Sequence, residues 1–294
     1  MAKNLISLGT TCPETTELKK NFAMFSQGLI SFPLYFPGTK FYKSMQGRKY
    51  VHKVLKDTLK ERMRAPEKRY GDFLDIFVAE MQSGDALVDE NLVVDLIVIL
   101  IFGSIVATAT TLTVAMKFLT DNPNVVAALT EEHEAILKKR EDMTSCITWE
   151  EFKSMKFTSQ VINEISRLSS VAPGIFKKTL ADVQINGYTI PSGWLVMMSP
   201  MAVHLNPENF KDPLTFNPWR WQESNAGSPM KNFIPFGDGT RYCIGAEFTK
   251  LQIALFIHML VTKYRWKEIK GGDMFRISDV VFRQGYHVQL LPRT

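Results

Sequence analysis

Residues Phe233 to Phe256 read FIPFGDGTRYCIGAEFTKLQIALF, and this stretch decides the fold. Within it Phe236, Gly239, Arg241, Cys243 and Gly245 fall at the spacing FxxGxRxCxG. A cysteine that holds the metal of a flat cofactor needs a backbone able to approach that cofactor closely. Gly237, Gly239 and Gly245 permit the approach. It also needs N–H donors near sulfur, which a glycine-rich backbone supplies. A positive potential helps, and an apolar helix is predicted to start just past Gly245 with its N-terminal end toward the sulfur. Arg241 can pair with a carboxylate of the cofactor. A lone cysteine is ordinarily an inert buried thiol; five matched positions ahead of an apolar helix favour the ligand instead.

Two further motifs stand upstream. Glu164 and Arg167, in NEISRL, share one face of a predicted helix. Alone they read as well as a surface ion pair. Arg220 stands in FNPWRW. Together with the cysteine stretch the set resembles the haem-binding region of the cytochrome P-450 family. That resemblance implies haem b, with iron ligated by Cys243 as an axial thiolate. It places Arg241, Phe236, Gly239 and Gly245 against the cofactor, and Lys177, in VAPGIFKKT, where the family usually has a propionate-binding arginine. It makes Glu164, Arg167 and Arg220 one charged network beneath the haem.

The resemblance runs the length of the chain. KNFAMFSQGLISFPL is similar to the helix over the substrate pocket, Asn91 to Lys117 to the long helix across the distal face, and VFRQGYHV to the last substrate-contacting turn. The pocket lining it implies is Gly103 to Ala107, Val171 to Ile175 and Val281 to Arg283. TKYRWKEIKGG and AVHLNPE are most similar to the plant clan oxidising sterols, triterpenoids and brassinosteroids. What the family implies is a monooxygenase hydroxylating a small apolar polycyclic substrate with dioxygen. Its electrons come from NADPH through NADPH-cytochrome reductase. Its place is the endoplasmic reticulum membrane, on the cytoplasmic face.

Two departures are visible. The chain begins later than the family's members, so residues 1–294 are expected to be the C-terminal portion of a single P-450 domain. The expected fold is mainly α with a small β portion, a cytochrome P-450 fold lacking its N-terminal part and its membrane anchor. A non-catalytic truncated remnant with weak or no haem binding is the alternative. Second, FGSIVATATT puts Val106 and Ala107 where the family usually has an acid and a threonine. Thr108 comes one residue later, about 100° further round a helix. It either supplies the missing hydroxyl, if the helix is distorted, or bonds back to the carbonyl four residues earlier.

Composition sets the outer limits. With 294 residues, 45% hydrophobic, the chain can bury one large core or two smaller ones. Its three cysteines, Cys12, Cys146 and Cys243, form no CxxC pair, which argues against structural zinc and against a disulfide scaffold. The net charge of +5 is concentrated between Lys40 and Arg69. Asp57, Glu61 and Glu67 interrupt that run and no aromatic platform accompanies it, so it reads as a solvated helix face and not a nucleic-acid site. Leu96 to Met116 carries no charge and is long enough for a bilayer. Its Gly, Ser and Thr content reads better as a core helix beside a cofactor. Helices are predicted up to about Leu168, with a capping box at Thr148–Glu151. An Asn186-Gly187 hairpin follows, then a strand in WLVMMS, an apolar helix from Ala246 to Thr262, and two closing strands near Val281 and at Gly285 to Leu291.

Overall fold

The computed structural model describes residues 6–7, 13–29, 31–65, 67–83, 89–140, 142, 145–172, 174–222, 229–276 and 280–293. Cys12, Pro173 and the middle of the Gln222–Asn232 connection lie outside these. The chain forms two compact units, Met1–Val106 and Ala107–Thr294.

The first unit is helical. Its elements are α1 (Pro13–Gln27), α2 (Lys40–Arg64), α3 (Phe73–Gln82) and the first half of α4 (Glu90–Asp121). One stripe of each helix is apolar, and these stripes meet in a core of Leu18, Phe22, Val51, Leu55, Leu59, Leu74, Val78, Val94 and Ile97. The basic face of α2 is not uniformly solvated, which corrects the sequence reading at one position. Arg62 is only 6% exposed. Its guanidinium donates to Asp72 Oδ2 at 2.8 Å and to Asp75 Oδ1 at 2.7 Å, and stacks 3.4 Å over the Tyr70 ring. The PLYFP segment, Pro33 to Pro37, leaves Leu34, Tyr35 and Phe36 exposed.

Helix α4 is long and apolar enough to cross a membrane by length and composition, with 33% of its most apolar window buried. Along its first half Val93, Val94, Ile97 and Ile101 enter the first core, while Ile99 and Ile105 stay exposed. Along its second half Thr108, Thr111, Ala115, Met116 and Leu119 are buried.

The second unit continues with α5 (Pro123–Leu137), α6 (Trp149–Ser154), α7 (Lys156–Ser169), α8 (Pro200–His204) and α9 (Ala246–Lys263). Thr148 and Glu151 make the predicted capping box at the start of α6. Four antiparallel strand pairs accompany the helices. β1 (Ile175–Lys178) pairs β4 (Leu195–Met198), and β2 (Val183–Ile185) pairs β3 (Tyr188–Ile190) through the Asn186-Gly187 turn, both residues at positive φ as predicted. β5 (Tyr264–Gly271) pairs β8 (Tyr286–Pro292), and β6 (Met274–Arg276) pairs β7 (Val280–Phe282). β5 and β6 are elements the sequence reading did not expect. Where β5 ends, Gly271 has φ +83°, and a Cβ there would lie 2.1 Å from the carbonyl oxygen of Gly285.

The apolar core of this unit joins α5, α7 and α9 through Leu129, Val161, Ile165, Ile253, Ile257 and Val261. A polar chain runs through it. Thr158 Oγ1 donates to Glu132 Oε2 at 2.6 Å, so it must accept from His133 Nε2 at 3.0 Å. His133 Nδ1 then carries the lone pair that accepts from His258 Nδ1 at 3.1 Å. Glu132 in turn takes the free N–H groups of Phe157 and Thr158 at the start of α7. Burial first, and then the neighbouring His258, holds His133 down to about 3. His133 is therefore neutral, as the chain of donors requires, and burial lowers His258 as well.

Candidate active site: the Cys243 loop and its charged support

Cys243 sits at the tip of a tight loop. Gly237 and Gly239 both have positive φ, +78° and +71°, and a short 3-10 turn spans Gly239–Arg241. The loop closes on itself where the Cys243 N–H donates to the Phe236 carbonyl at 3.0 Å. Helix α9 starts at once: Ala246 N–H donates to Cys243 O at 3.2 Å. The thiol is exposed. A Cβ at Gly245 would come 3.8 Å from the sulfur, and one at Gly239 would meet nothing within 4 Å. Beside the sulfur Tyr242 and Ile244 present exposed apolar surface, and Ile244 is 79% exposed. On the other side of the loop Phe236 packs against Tyr242 and lies under Lys250 of α9. Strand β1 adjoins it, since Ile175 Cδ1 lies 3.8 Å from where a Gly237 Cβ would be.

Behind the loop lies a buried charge cluster. Glu164 and Arg167, one turn apart on α7, are both fully buried. Arg167 grips Glu164 with two parallel bonds of 2.9 and 2.8 Å, and Arg220 Nε adds a third at 3.0 Å. The Asn217 N–H and Trp221 Nε1 complete the carboxylate's partners. Two guanidiniums face one carboxylate, so positive charge is in excess. Carbonyl oxygens absorb it: His204 and Pro213 accept from Arg167, Lys211 and Asp212 from Arg220, and Thr215 from both. The three residues singled out by sequence thus form one network. Sequence reasoning missed its supporting partners Trp221, Asn217 and His204, whose roles depend on chain folding back over many residues.

The profile of the family described as cytochrome P-450 matches residues 14–285 of this chain. The chain belongs to the cytochrome P-450 family. It is 50% identical to a rice (Oryza sativa subsp. japonica) protein named cytochrome P-450 87A3, over 99% of this chain and 57% of that protein. It is 43% identical to the beta-amyrin 16-alpha-hydroxylase of Maesa lanceolata, over 90% of this chain and 56% of the relative. The chain therefore spans a little over half the length of these relatives. Among solved structures it is similar to a retinoic acid-bound cyanobacterial protein, CYP120A1. The TM-score is 0.87 and the identity 25%, over 99% of this chain and 66% of that one.

The P-450 family implies haem with its iron, and the residues present fit that group. An exposed soft sulfur stands on a loop whose Gly237, Gly239 and Gly245 carry no side chain against a flat macrocycle. Arg241 and Lys177 are exposed, and their side chains hold no hydrogen bond or ion pair among the described residues. Thr108 is 8% exposed, on an unbroken helical stretch of α4. The back-bond to the Ser104 carbonyl is not made. Thr111 and Thr113 do bond back to carbonyls four residues earlier, at 2.9 Å each, and Ser104 bonds to Ile101. The Thr108 hydroxyl has no partner among the described residues.

Proposed function

We propose that this chain is part of a haem-dependent monooxygenase that hydroxylates an apolar polycyclic substrate of the sterol or triterpenoid class. The observation that carries the reading is the Cys243 loop: an exposed thiol on a glycine turn, at the start of a helix, braced by a buried Glu-Arg-Arg network. Bound there, haem would supply the activation of dioxygen. Cys243 Sγ holds the iron, and the glycine backbone on either side admits the macrocycle. Arg241 and Lys177 take its carboxylates, as unpaired exposed cations suited to that task. Phe236, Gly239 and Gly245 shape the loop around the sulfur. Thr108, whose hydroxyl has no partner among the described residues, is the candidate proton donor on the distal helix.

The substrate class rests on the relatives, one of which is named for hydroxylating beta-amyrin. Electrons from NADPH would arrive through NADPH-cytochrome reductase, at the cytoplasmic face of the endoplasmic reticulum membrane, as the family implies. The test is the carbon monoxide difference spectrum of the reduced, haem-loaded chain. A thiolate-type peak is expected, abolished by Cys243→Ala and kept by Cys146→Ala. No such peak in the unaltered chain would instead support a non-catalytic remnant.

A further inference from the structure

We propose that His204 is the positioning residue that couples the Glu164–Arg167–Arg220 network to the loop bearing Cys243. This rests on the reading of Cys243 as the iron ligand.

His204 ends the short helix α8 and is 0% exposed. It has two connections, one from each part of the residue. Its carbonyl oxygen accepts from Arg167 Nη1 at 2.9 Å, which ties it to the ion network. Its ring Nε2 lies 3.0 Å from the Ile234 backbone nitrogen. A backbone amide can only donate, so Nε2 must present its lone pair and the ring proton must sit on Nδ1. From Ile234 the hydrogen bonds continue toward sulfur. Gly237 N–H donates to Ile234 O at 3.1 Å, and Cys243 N–H donates to Phe236 O at 3.0 Å. The His204 ring therefore supplies the hydrogen bond between the rigid charged support and the first turn of the loop, beside the Trp221–Phe233 ring contact and the Asn232–Asn209 side-chain bond.

The ring is held for this task. Phe233 and Phe210 flank it, with centroids 5.8 and 6.1 Å away. Burial, and then the Arg167 charge, lowers its pKa to about 4, which keeps Nε2 an acceptor at neutral pH. The facing charges are Arg167 and, behind it, the mutually paired Glu164 and Arg220. Ring Nδ1 is buried with no partner among the described residues. The hydrogen bond through Nε2 is thus the ring's one polar engagement, and it points at the cysteine loop.

The test compares three variants of the full 294-residue chain. His204→Phe keeps an aromatic ring and removes the acceptor. His204→Gln places an amide oxygen near the Nε2 position. His204→Asn offers the same chemistry one carbon short, near Nδ1. Amide hydrogen exchange at Ile234 is read in each, with far-UV circular dichroism to report folding and the carbon monoxide spectrum of the haem-loaded form to report thiolate ligation. Expected is a loss of Ile234 protection of at least about tenfold in the Phe and Asn variants, and near-normal protection in the Gln variant. The thiolate-type share of the spectrum should follow the same order. If the Phe variant fails to fold, the Gln and Asn pair decides. Equal protection in all variants, or equal loss in Gln and Asn, would overturn the coupling and leave His204 as packing alone. Ile234 protection in the expected order, with no thiolate spectrum even in the unaltered chain, would sink the iron-ligand reading while supporting the bond to Ile234.

Discussion

Two buried guanidinium clusters, one in each unit, solve opposite charge problems. Arg62 meets two carboxylates, Asp72 and Asp75. Negative charge is in excess there, and N–H groups absorb it: Tyr70 and Gly71 donate to Asp75 Oδ2 at 2.6 and 2.8 Å. Arg167 and Arg220 meet one carboxylate, and carbonyl oxygens absorb the surplus positive charge. The first cluster closes between residues 62 and 75, so it locks a corner between neighbouring helices. The second joins residue 164 to residue 221, across the β1–β4 region and α8. Ordering so long a loop costs more chain entropy, and more structure depends on the bonds that hold it. Similar chemistry thus braces a corner in one place and organises a site in the other.

The sharpest way to break this comparison is Glu164→Gln, which leaves two buried guanidiniums without a countercharge. A cost of about 3–5 kcal/mol is expected. Thermal denaturation should show the second unit melting early or failing to fold, and a midpoint within a degree or two of the original would refute the organising role.

Asp75→Asn attacks the other cluster and should do less, about 1.5–3 kcal/mol, because Asp72 still pairs with Arg62. Burial alone would raise the Asp75 carboxyl, but the Tyr70 and Gly71 N–H groups and the Arg62 charge outweigh it and hold it below its usual range. Hydrogen exchange should report opening between α2 and α3, with α7 and α9 unchanged. Spread of the effect into α7 would erase the distinction between local and organising clusters.

The His133–His258 chain is the neutral counterpart of both, and its loss shows only in acid. With His133 lowered to about 3 from an ordinary 6.5, the unfolded chain takes the proton first as pH falls. The stability it contributes is fully present above 6.5 and drains away between 6.5 and about 3. The expected slope is at most about 1.4 kcal/mol per pH unit for one proton. Urea midpoints measured across that range should fall less steeply in His133→Gln than in the original chain. Parallel curves would assign the acid sensitivity to the carboxylates instead.

Legibility followed the range over which each feature is decided. The hairpin at Asn186-Gly187 and the cap at Thr148 are set by residues within a few positions of each other, and both were readable. The cysteine loop was readable because its glycines, arginine and cysteine are contiguous. Arg62 was misread as solvated because its partners lie on the next helix, ten and thirteen residues on. β5 was missed because Lys263 of α9 runs straight into Tyr264 with no glycine or proline between, although the alternation of aromatic and charged residues over Tyr264–Lys267 is a strand signal. His204 was noticed only within a family-like string. Nothing local to it reveals that its ring would meet Ile234, thirty residues later.

The contact between Gly271 and Gly285 has an evolutionary consequence. With Gly271 at φ +83° and a would-be Cβ at 2.1 Å from the Gly285 carbonyl, any other side chain at 271 meets backbone, which cannot step aside. Drift at that position is therefore closed to single substitutions. Arg283 and Gln284, in the turn that Gly285 completes, do not have positive φ, and Arg283 stacks 4.4 Å over the Phe275 ring. A lineage adapting to new chemistry can change those two without backbone strain while inheriting the glycine contact beneath them unaltered, so divergence among descendants should collect at the tip and stop at the two glycines.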